Sequence, residues 1–380
     1  MGGIPVQQQQ VKVVIIGAGP AGLGCAALLK QMGINNRDML VLEAKSIGST
    51  FKSWPKEMKM ITPSFPSNGY HQTDLNAITP DTSPAFSLGK EHPSGADYAE
   101  YLRSLVAHHD IEVREQTPVT QVLPQPDDGF LIETQAGETI NSQYLIWAGG
   151  EFSAPRLNGF EGSERCLHNS QISSWEDCDK DHYVVIGCYE SGVDAAYNLA
   201  QRGKRVTLLD ANAEQTDSYD PSRVLSPYTS ERLASMANSD LVELKQDFRV
   251  QQVNALENGF ELVSTSGQTL FSTGSPINCT GFNTNLGPVQ SLFDVAANGF
   301  PLINKFDEST RVRNLFLSGP KLMHGAILLC FIYKFRGRFT TPCSIIAAEL
   351  ELDTSILSHY QQAGMLLDDF SCCEEQQCYC

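Results

Sequence analysis

The residues able to do chemistry in this chain are glycines spaced for a diphosphate, carboxylates spaced for a ribose, and thiols that can exchange electrons. Gly17, Gly19 and Gly22 give G-x-G-x-x-G around Pro20 and Ala21. The first glycine makes a tight turn, the second lets backbone approach a pyrophosphate, and the third lets a helix lie close to a strand. Glu43 stands 21 residues after Gly22, where a carboxylate suits a ribose diol and repels a 2′-phosphate. A second turn reads Gly187-Cys188-Tyr189-Glu190-Ser191-Gly192, with Asp210 at the matching acidic position. Tyr189 replaces its middle glycine and hinders a pyrophosphate, and no arginine follows Asp210 to take a 2′-phosphate. NADPH is therefore disfavoured. NADH, a second FAD stacked on Tyr189, and an empty structural domain all stay open. Cys372, Cys373, Cys378 and Cys380 crowd the last nine positions. They could relay electrons to an outside disulfide, capture a metal, or have no function. The adjacent Glu374 and Glu375 would raise their thiol pKa values. No other metal site is expected.

Each glycine turn must leave the end of a buried parallel strand and open a helix whose N–H groups face the ligand. Val11 to Ile16 is a β-branched run that predicts such a strand. A helix over Pro20 to about Met32 follows, and Met39 to Leu42 predicts the next strand, ending at Glu43. Residues 183–186, 193–202 and 206–209 repeat the pattern as strand, helix and strand up to Asp210. Residues 95–109 predict a helix with Tyr98, Tyr101, Leu102 and Leu105 on one face. Two strands run into small residues that let backbone pass a bound cofactor: Tyr144 to Trp147 into Ala148-Gly149-Gly150, and Pro276 to Cys279 into Thr280-Gly281-Phe282. Leu315 to Leu317 ends at Ser318-Gly319-Pro320. A helix over about Gly325 to Phe339, with His324 at its start, would aim its positive end at a reduced flavin; a capping or core role for His324 is the alternative. Lys334, Arg336 and Arg338 would be a solvated face or a dock for an acidic donor. The fold class is read as α/β, with two Rossmann-like domains of the FAD/NAD(P) type, the second inserted in the first. Residues 1–150 and 281–367 would bind FAD, 151–280 would form the second dinucleotide-like domain, and 368–380 the Cys-rich tail.

A net charge of −17 speaks against nucleic acid and against an anionic membrane surface. No apolar run has the length of a membrane span. Residues 1–10 lack the basic region of a signal peptide. Eleven cysteines, an odd number, point to a reducing cytoplasm and not to a disulfide framework.

With both strand–turn–helix units, the two crossovers and the Ser318-Gly319-Pro320 turn in view, the chain resembles the flavoproteins with two dinucleotide-binding domains. These include thioredoxin reductases, bacillithiol-disulfide reductases and flavin-containing monooxygenases. The resemblance implies FAD on the first unit, with Gly17, Gly19, Gly22, Glu43 and Lys45 at its diphosphate and ribose positions. Ala44, Thr50, Phe51 and Trp54 fall on the loop that wraps the ribityl chain and ring edge, and Val119 falls at an adenine contact. Ser318, Gly319 and Pro320 match the closing flavin motif, with Pro320 replacing the acid that disulfide reductases carry. Residues 151–280 hold no Cys-x-x-Cys, unlike a thioredoxin reductase. Trp54-Pro55 and Thr62 are similar to the bacillithiol enzymes, and Phe160-x-Gly162 with His168 is similar to the monooxygenases.

The reading that follows is an FAD-dependent oxidoreductase of the disulfide-reductase type, passing electrons to a thiol/disulfide protein or a small disulfide. Electrons would enter from NADH or from a ferredoxin-like protein. A homodimer is expected. A flavin monooxygenase acting on a small molecule and a flavin-binding sensor without turnover are the alternatives.

Overall fold

The computed structural model describes residues 8–66, 73–211 and 220–370. Cys372, Cys373, Cys378 and Cys380 lie outside the described residues. The chain forms two compact units, one built from residues 1–52, 63–153 and 284–380, the other from 53–62 and 154–283.

The first unit is built on a mixed sheet. Its strands are β1 (Gln8–Ile16), β2 (Met39–Leu42), β3 (Val113–Arg114), β4 (Val119–Pro124), β5 (Phe130–Thr134) and β6 (Thr139–Trp147). They lie in the order β3-β2-β1-β6-β5-β4. β1, β2 and β3 run parallel, β1 pairs β6 in parallel, and β4 and β5 form an antiparallel meander with β6. Helix α1 (Pro20–Gln31) crosses from β1 to β2. Val13, Val14 and Ile15 have no exposed surface, as expected of a strand covered on both faces. β6 has β1 along one edge and is long enough for two partners along the other. Ser142 and its N-terminal neighbours pair β5, while Leu145 to Trp147 pair the returning strand at Leu315–Leu317. The short α2 (Ser49–Lys52) and α3 (Pro84–Leu88) precede α4 (Gly95–His108). Ser94 and Asp97 form a reciprocal capping box at the start of α4. Its buried face is Tyr98, Tyr101, Leu102 and Leu105.

The second unit contains β7 (Leu167–His168), β8 (His182–Ile186), β9 (Arg205–Leu209), β10 (Val242–Lys245) and a later strand at Ile277–Asn278. All pair in parallel, in the order β10-β9-β8, then Ile277–Asn278, then β7. Helix α5 (Glu190–Gln201) joins β8 to β9, and α6 (Pro227–Met236) precedes β10. A separate antiparallel sheet holds β11 (Val250–Leu256), β12 (Gly259–Ser264) and β13 (Thr269–Ser272), and Ile277–Asn278 is β14. Val184, Ile186 and Leu209 pack on one side of the parallel sheet with Phe248, Val253 and Leu262, while Val185 and Leu208 pack on the other with α5.

The return segment departs from the expected helix over 325–339. After β15 (Leu315–Leu317), Met323–His324 (β16) and Ile327–Leu328 (β17) form an antiparallel hairpin. Gly325, at φ +57°, supplies its left-handed turn. Helix α7 starts only at Ile332 and ends at Phe335; a 3₁₀ turn over Arg336–Arg338 leads into α8 (Thr340–Glu349), and α9 (Leu357–Gln362) follows. No long helix points its N-terminus at the Ser318 turn from Gly325. Arg336 and Arg338 are likewise not a solvated basic face, being 3% and 2% exposed. Arg336 donates to the carbonyls of Asp74 and Ala77. Arg338 forms a bidentate pair with Asp307, with Nε and Nη2 each 2.9 Å from a carboxylate oxygen. Among the described residues no helix is long and apolar enough to cross a membrane.

Candidate active site

The C-terminal ends of parallel strands are where an open α/β sheet binds ligands, and the first unit laces its turns together there. Gly17 N–H donates to Leu42 O (2.8 Å), Ala148 N–H to Ile16 O (2.9 Å) and Ser318 N–H to Trp147 O (2.9 Å). The Gly17 turn, the Ala148-Gly149-Gly150 crossover and the Ser318-Gly319-Pro320 turn thus leave neighbouring strands side by side. Gly319 completes the arrangement against α1, where a Cβ would lie 3.3 Å from Ala21 Cβ.

The glycines of the motif divide into two kinds. A Cβ on Gly22 would overlap the Gly17 carbonyl, so this glycine serves the packing of α1 on its own turn. A Cβ on Gly19 would meet nothing within 4 Å. Gly19 is the N-cap of α1, and the first-turn N–H groups of a helix have no intrahelical partner. The open space beside Gly19 and those donors form a cradle that a side chain would fill and a pyrophosphate fits.

Glu43 lies at the end of β2, 8% exposed. Its carboxylate accepts from Ala18 N (2.9 Å), Lys45 N (2.8 Å) and Ser49 Oγ (3.2 Å). The acid therefore ties the glycine turn to the following loop. A carboxylate offers about four lone-pair directions, so it retains capacity for a ribose hydroxyl. Gly48 N donates to Ala18 O and Thr117 N to Glu43 O, which brings the start of β4, and Val119, to the edge of this loop. Lys45 O accepts from Gln116 N. These residues fit the adenosine and diphosphate of FAD.

Other expected contacts are placed differently. Phe51 is 7% exposed and packs on Tyr98, with ring centroids 4.7 Å apart; it is a core residue of the first unit and not a face for the ring edge. Thr50 is half-buried beside it on α2, and Trp54 belongs to the second unit. His324 is at no helix start. Its Nε2 lies 2.6 Å from Asp307 Oδ1, and its ring stacks on Phe370 at 4.7 Å. Asp307 is fully buried, with Arg338 on its other side. Sequence reasoning missed Asp307, Phe370 and Lys321. Lys321 directly follows the closing motif and pairs with Glu151, next to Gly150, at 2.5 Å. Its position beside both small-residue turns was the available signal.

The second unit repeats the lacing: Gly187 N donates to Leu209 O (3.0 Å) and Cys279 N to Ile186 O (2.9 Å). A Cβ on Gly192 would overlap the Gly187 carbonyl, as at Gly22. The difference is at the N-cap. Tyr189 stands in the place of Gly19, and its OH donates to Val224 O at 2.7 Å. Glu190, the first residue of α5, accepts from Ser226 N (2.6 Å), Ser226 Oγ (3.0 Å) and Thr229 Oγ1. A carboxylate thus already stands at the positive end of α5 and caps the start of α6. Ser191 follows on the first turn of α5, and Asp210 continues β9 by backbone bonds to Lys245 and Phe248.

Burial keeps the cysteines of this unit protonated. Cys188 is pushed up to about 11 by burial, helped by Asp210, and Cys166 to about 12 by burial. Cys279 and Cys178 are raised for the same reason. None of these is a ready thiolate at neutral pH. His168 is buried, with Nδ1 on Ser170 and Nε2 on Gly281 O; its likeness to a monooxygenase connector is here a local cap.

Two successive strand–turn–helix–strand–acid units, the first with an open N-cap glycine, define a flavin-linked oxidoreductase with two dinucleotide-type units. Residues 14–319 match the family described as pyridine nucleotide-disulphide oxidoreductase, and the chain belongs to that family. It is 27% identical over 320 residues to a bacilliredoxin reductase of Bacillus subtilis, covering 82% of this chain and 89% of that one. It is 25% identical to an indole-3-pyruvate monooxygenase of Oryza sativa, but over only 52% of this chain and 47% of that one. The fold is that of a bacillithiol disulfide reductase from Staphylococcus aureus, with a TM-score of 0.75 at 20% identity over 90% of this chain and 99% of the other. The chain is an FAD-dependent oxidoreductase of the disulfide-reductase type.

Proposed function

We propose that residues 1–150 and 281–367 hold FAD, that residues 151–280 do not take NADPH, and that electrons leave through the C-terminal thiols to a small disulfide or a disulfide-bearing protein. The contrast between the two N-caps carries this reading: Gly19 opens onto empty space, whereas Tyr189 stands at the matching position of the second unit and Glu190 adds a carboxylate to the first turn of α5. The output side is supported by the relatives. The likeness to the bacilliredoxin reductase spans most of both chains, while that to the plant monooxygenase spans about half of each. Bound FAD would supply a two-electron couple beside the laced turns. The chain's own work is to seat it: α1 donors on the diphosphate, Glu43 on the ribose, Ser318 and Gly319 on the remaining edge. A disulfide accepts two electrons and two protons to become two thiols, so each turnover consumes one two-electron equivalent from NADH or two one-electron equivalents from a ferredoxin-like donor. Cys372, Cys373, Cys378 and Cys380 are the relay assigned to this step, since buried thiols such as Cys188 and Cys166 are held protonated.

Anaerobic reduction of the purified yellow protein tests the reading. NADPH should bleach the flavin slowly or not at all, and the protein reduced by dithionite should transfer electrons to a disulfide. Rapid bleaching by NADPH coupled to oxygen-dependent substrate oxidation would instead establish a monooxygenase. Counting flavins released per chain decides whether Tyr189 faces a second FAD or an empty seat.

A further inference from the structure

A cluster outside the dinucleotide units' turns has the donor set of a metal centre. Helix α4 ends at His108 with His109 as its C-cap, and Asp81 faces them from the turn at Pro80. Their ligand atoms all lie within 4.8 Å of one another. His108 Nε2 is 3.2 Å from Asp81 Oδ2 and His109 Nε2 is 3.7 Å from Asp81 Oδ1. The second distance is too long for a hydrogen bond. It does match two ligands sharing one ion, which stand roughly 3.4 Å apart in a tetrahedral zinc site with bonds of about 2.1 Å.

His109 supplies an independent pointer. Its side chain is only 6% exposed, and its Nε2 has no hydrogen-bond partner among the described residues although it faces the carboxylate. A buried polar atom left without a hydrogen bond is destabilising. The site is preorganised from within the same helix. Tyr101, two turns before His108, accepts from Ile78 N (3.1 Å) and bonds Thr82 Oγ1 (2.7 Å), which fixes the turn carrying Asp81. Gln31 Nε2 donates to Asp81 Oδ1 at 3.4 Å and is itself held by Tyr360 OH at 2.8 Å. Such outer partners orient metal-bound carboxylates.

We propose that Asp81, His108 and His109 bind one divalent transition-metal ion of the zinc class, with a remaining coordination position open to water. Two imidazoles and a carboxylate select zinc-like ions over calcium or magnesium. Asp81 and His108 also line a cavity of about 640 Å³ with Thr82, Phe86 and Tyr101, which gives solvent access to that position. The ion would clip the 78–83 turn to the end of α4.

The Cys-rich tail is a competing zinc ligand, so the test uses the full-length chain with Cys372, Cys373, Cys378 and Cys380 changed to serine. After incubation with Zn²⁺ and gel filtration it should keep one zinc per chain. X-ray absorption should show only nitrogen and oxygen neighbours, at about 2.0–2.1 Å. His108→Ala, at a side chain 58% exposed and so neutral to folding, should weaken binding at least tenfold, as should His109→Gln. Absence of zinc from the four-serine chain, or retention of zinc by both histidine variants, overturns the proposal.

Discussion

Gly19 and Gly22 lie three residues apart in one motif and should fail in opposite ways. Gly19→Val has room in the protein and an extended backbone, φ −92° and ψ −173°, so the melting temperature of the flavin-free protein should be unchanged. Its side chain fills the cradle, and FAD affinity should fall at least tenfold, about 1.4 kcal/mol. Gly22→Ala must displace the Gly17 carbonyl and should cost about 3 kcal/mol or more of stability. A Gly19→Val protein that purifies with a full complement of flavin would move the diphosphate seat elsewhere. The thiols make a second prediction. With a pKa of about 11, Cys188 is less than about 0.1% thiolate at pH 7.5, against roughly a tenth for a free cysteine. Iodoacetamide at that pH should leave Cys188 and Cys166 unlabelled. Because their folded pKa values exceed the unfolded value near 8.5, these thiols favour folding fully below that pH. The contribution is then lost as pH rises to about 11 and 12. Chemical denaturation at pH 8 and pH 10.5 should show the decline; equal stability at both would contradict the assigned burial.

At the scale of elements, charge and periodicity were readable where a pattern has one solution. The β-branched run of β1, the glycine turn and Glu43 form such a pattern, and its repetition at β8 and α5 revealed the second unit. The face of α4 was equally legible, and its capping box makes a testable case. Burial alone would raise the Asp97 carboxyl, but the Lys90 ammonium and the Ser94 hydroxyl and N–H outweigh it and bring the value to about 2. Asp97 therefore adds stability that is full above about pH 4 and is lost as pH falls towards 2. Ser94→Ala should cost about 1 kcal/mol, read as a shift of the denaturation midpoint. What local sequence did not disclose depends on distant partners. Residues 323–328 carry helix-compatible Ala, Ile and Leu, yet pair as a hairpin around Gly325. Arg338 looked solvated because its partner Asp307 is 31 positions away. Arg338→Ala would strand a fully buried carboxylate with only His324 and should destabilise by about 3–5 kcal/mol. A loss below about 0.5 kcal/mol in urea melts would remove the pair from the account of the core.

At the scale of the whole molecule, the open question is how electrons reach an outside disulfide. The described chain ends at a fixed point: Phe370 stacks on His324 and lies under the Arg338 guanidinium, 5.0 Å from its ring centroid. Leu367 O accepts from Arg338 Nη1 at 2.6 Å, so the root of the tail is held in the first unit. A fully extended chain reaches about 3.5 Å per residue. Cys372 is two residues and Cys380 ten residues beyond Phe370 in the sequence, so covalent reach alone sets upper bounds of roughly 7 Å and 35 Å. An anchored root would give thiols tethered to it a high effective concentration near the unit proposed to seat FAD, and that concentration falls steeply once a tether lengthens. Truncation before Ser371 should leave flavin content and dithionite reduction intact while cutting disulfide turnover at least a hundredfold. Phe370→Ala keeps every cysteine and only frees the root. It should lower turnover several-fold, with no change in flavin content or in the reactivity of the thiols towards a small disulfide reagent. If the truncated enzyme turns over disulfide at the full rate, the relay is not the tail. If truncation abolishes turnover but Phe370→Ala does not slow it, the thiols work without the anchor, and the His324–Phe370 stack serves only the fold.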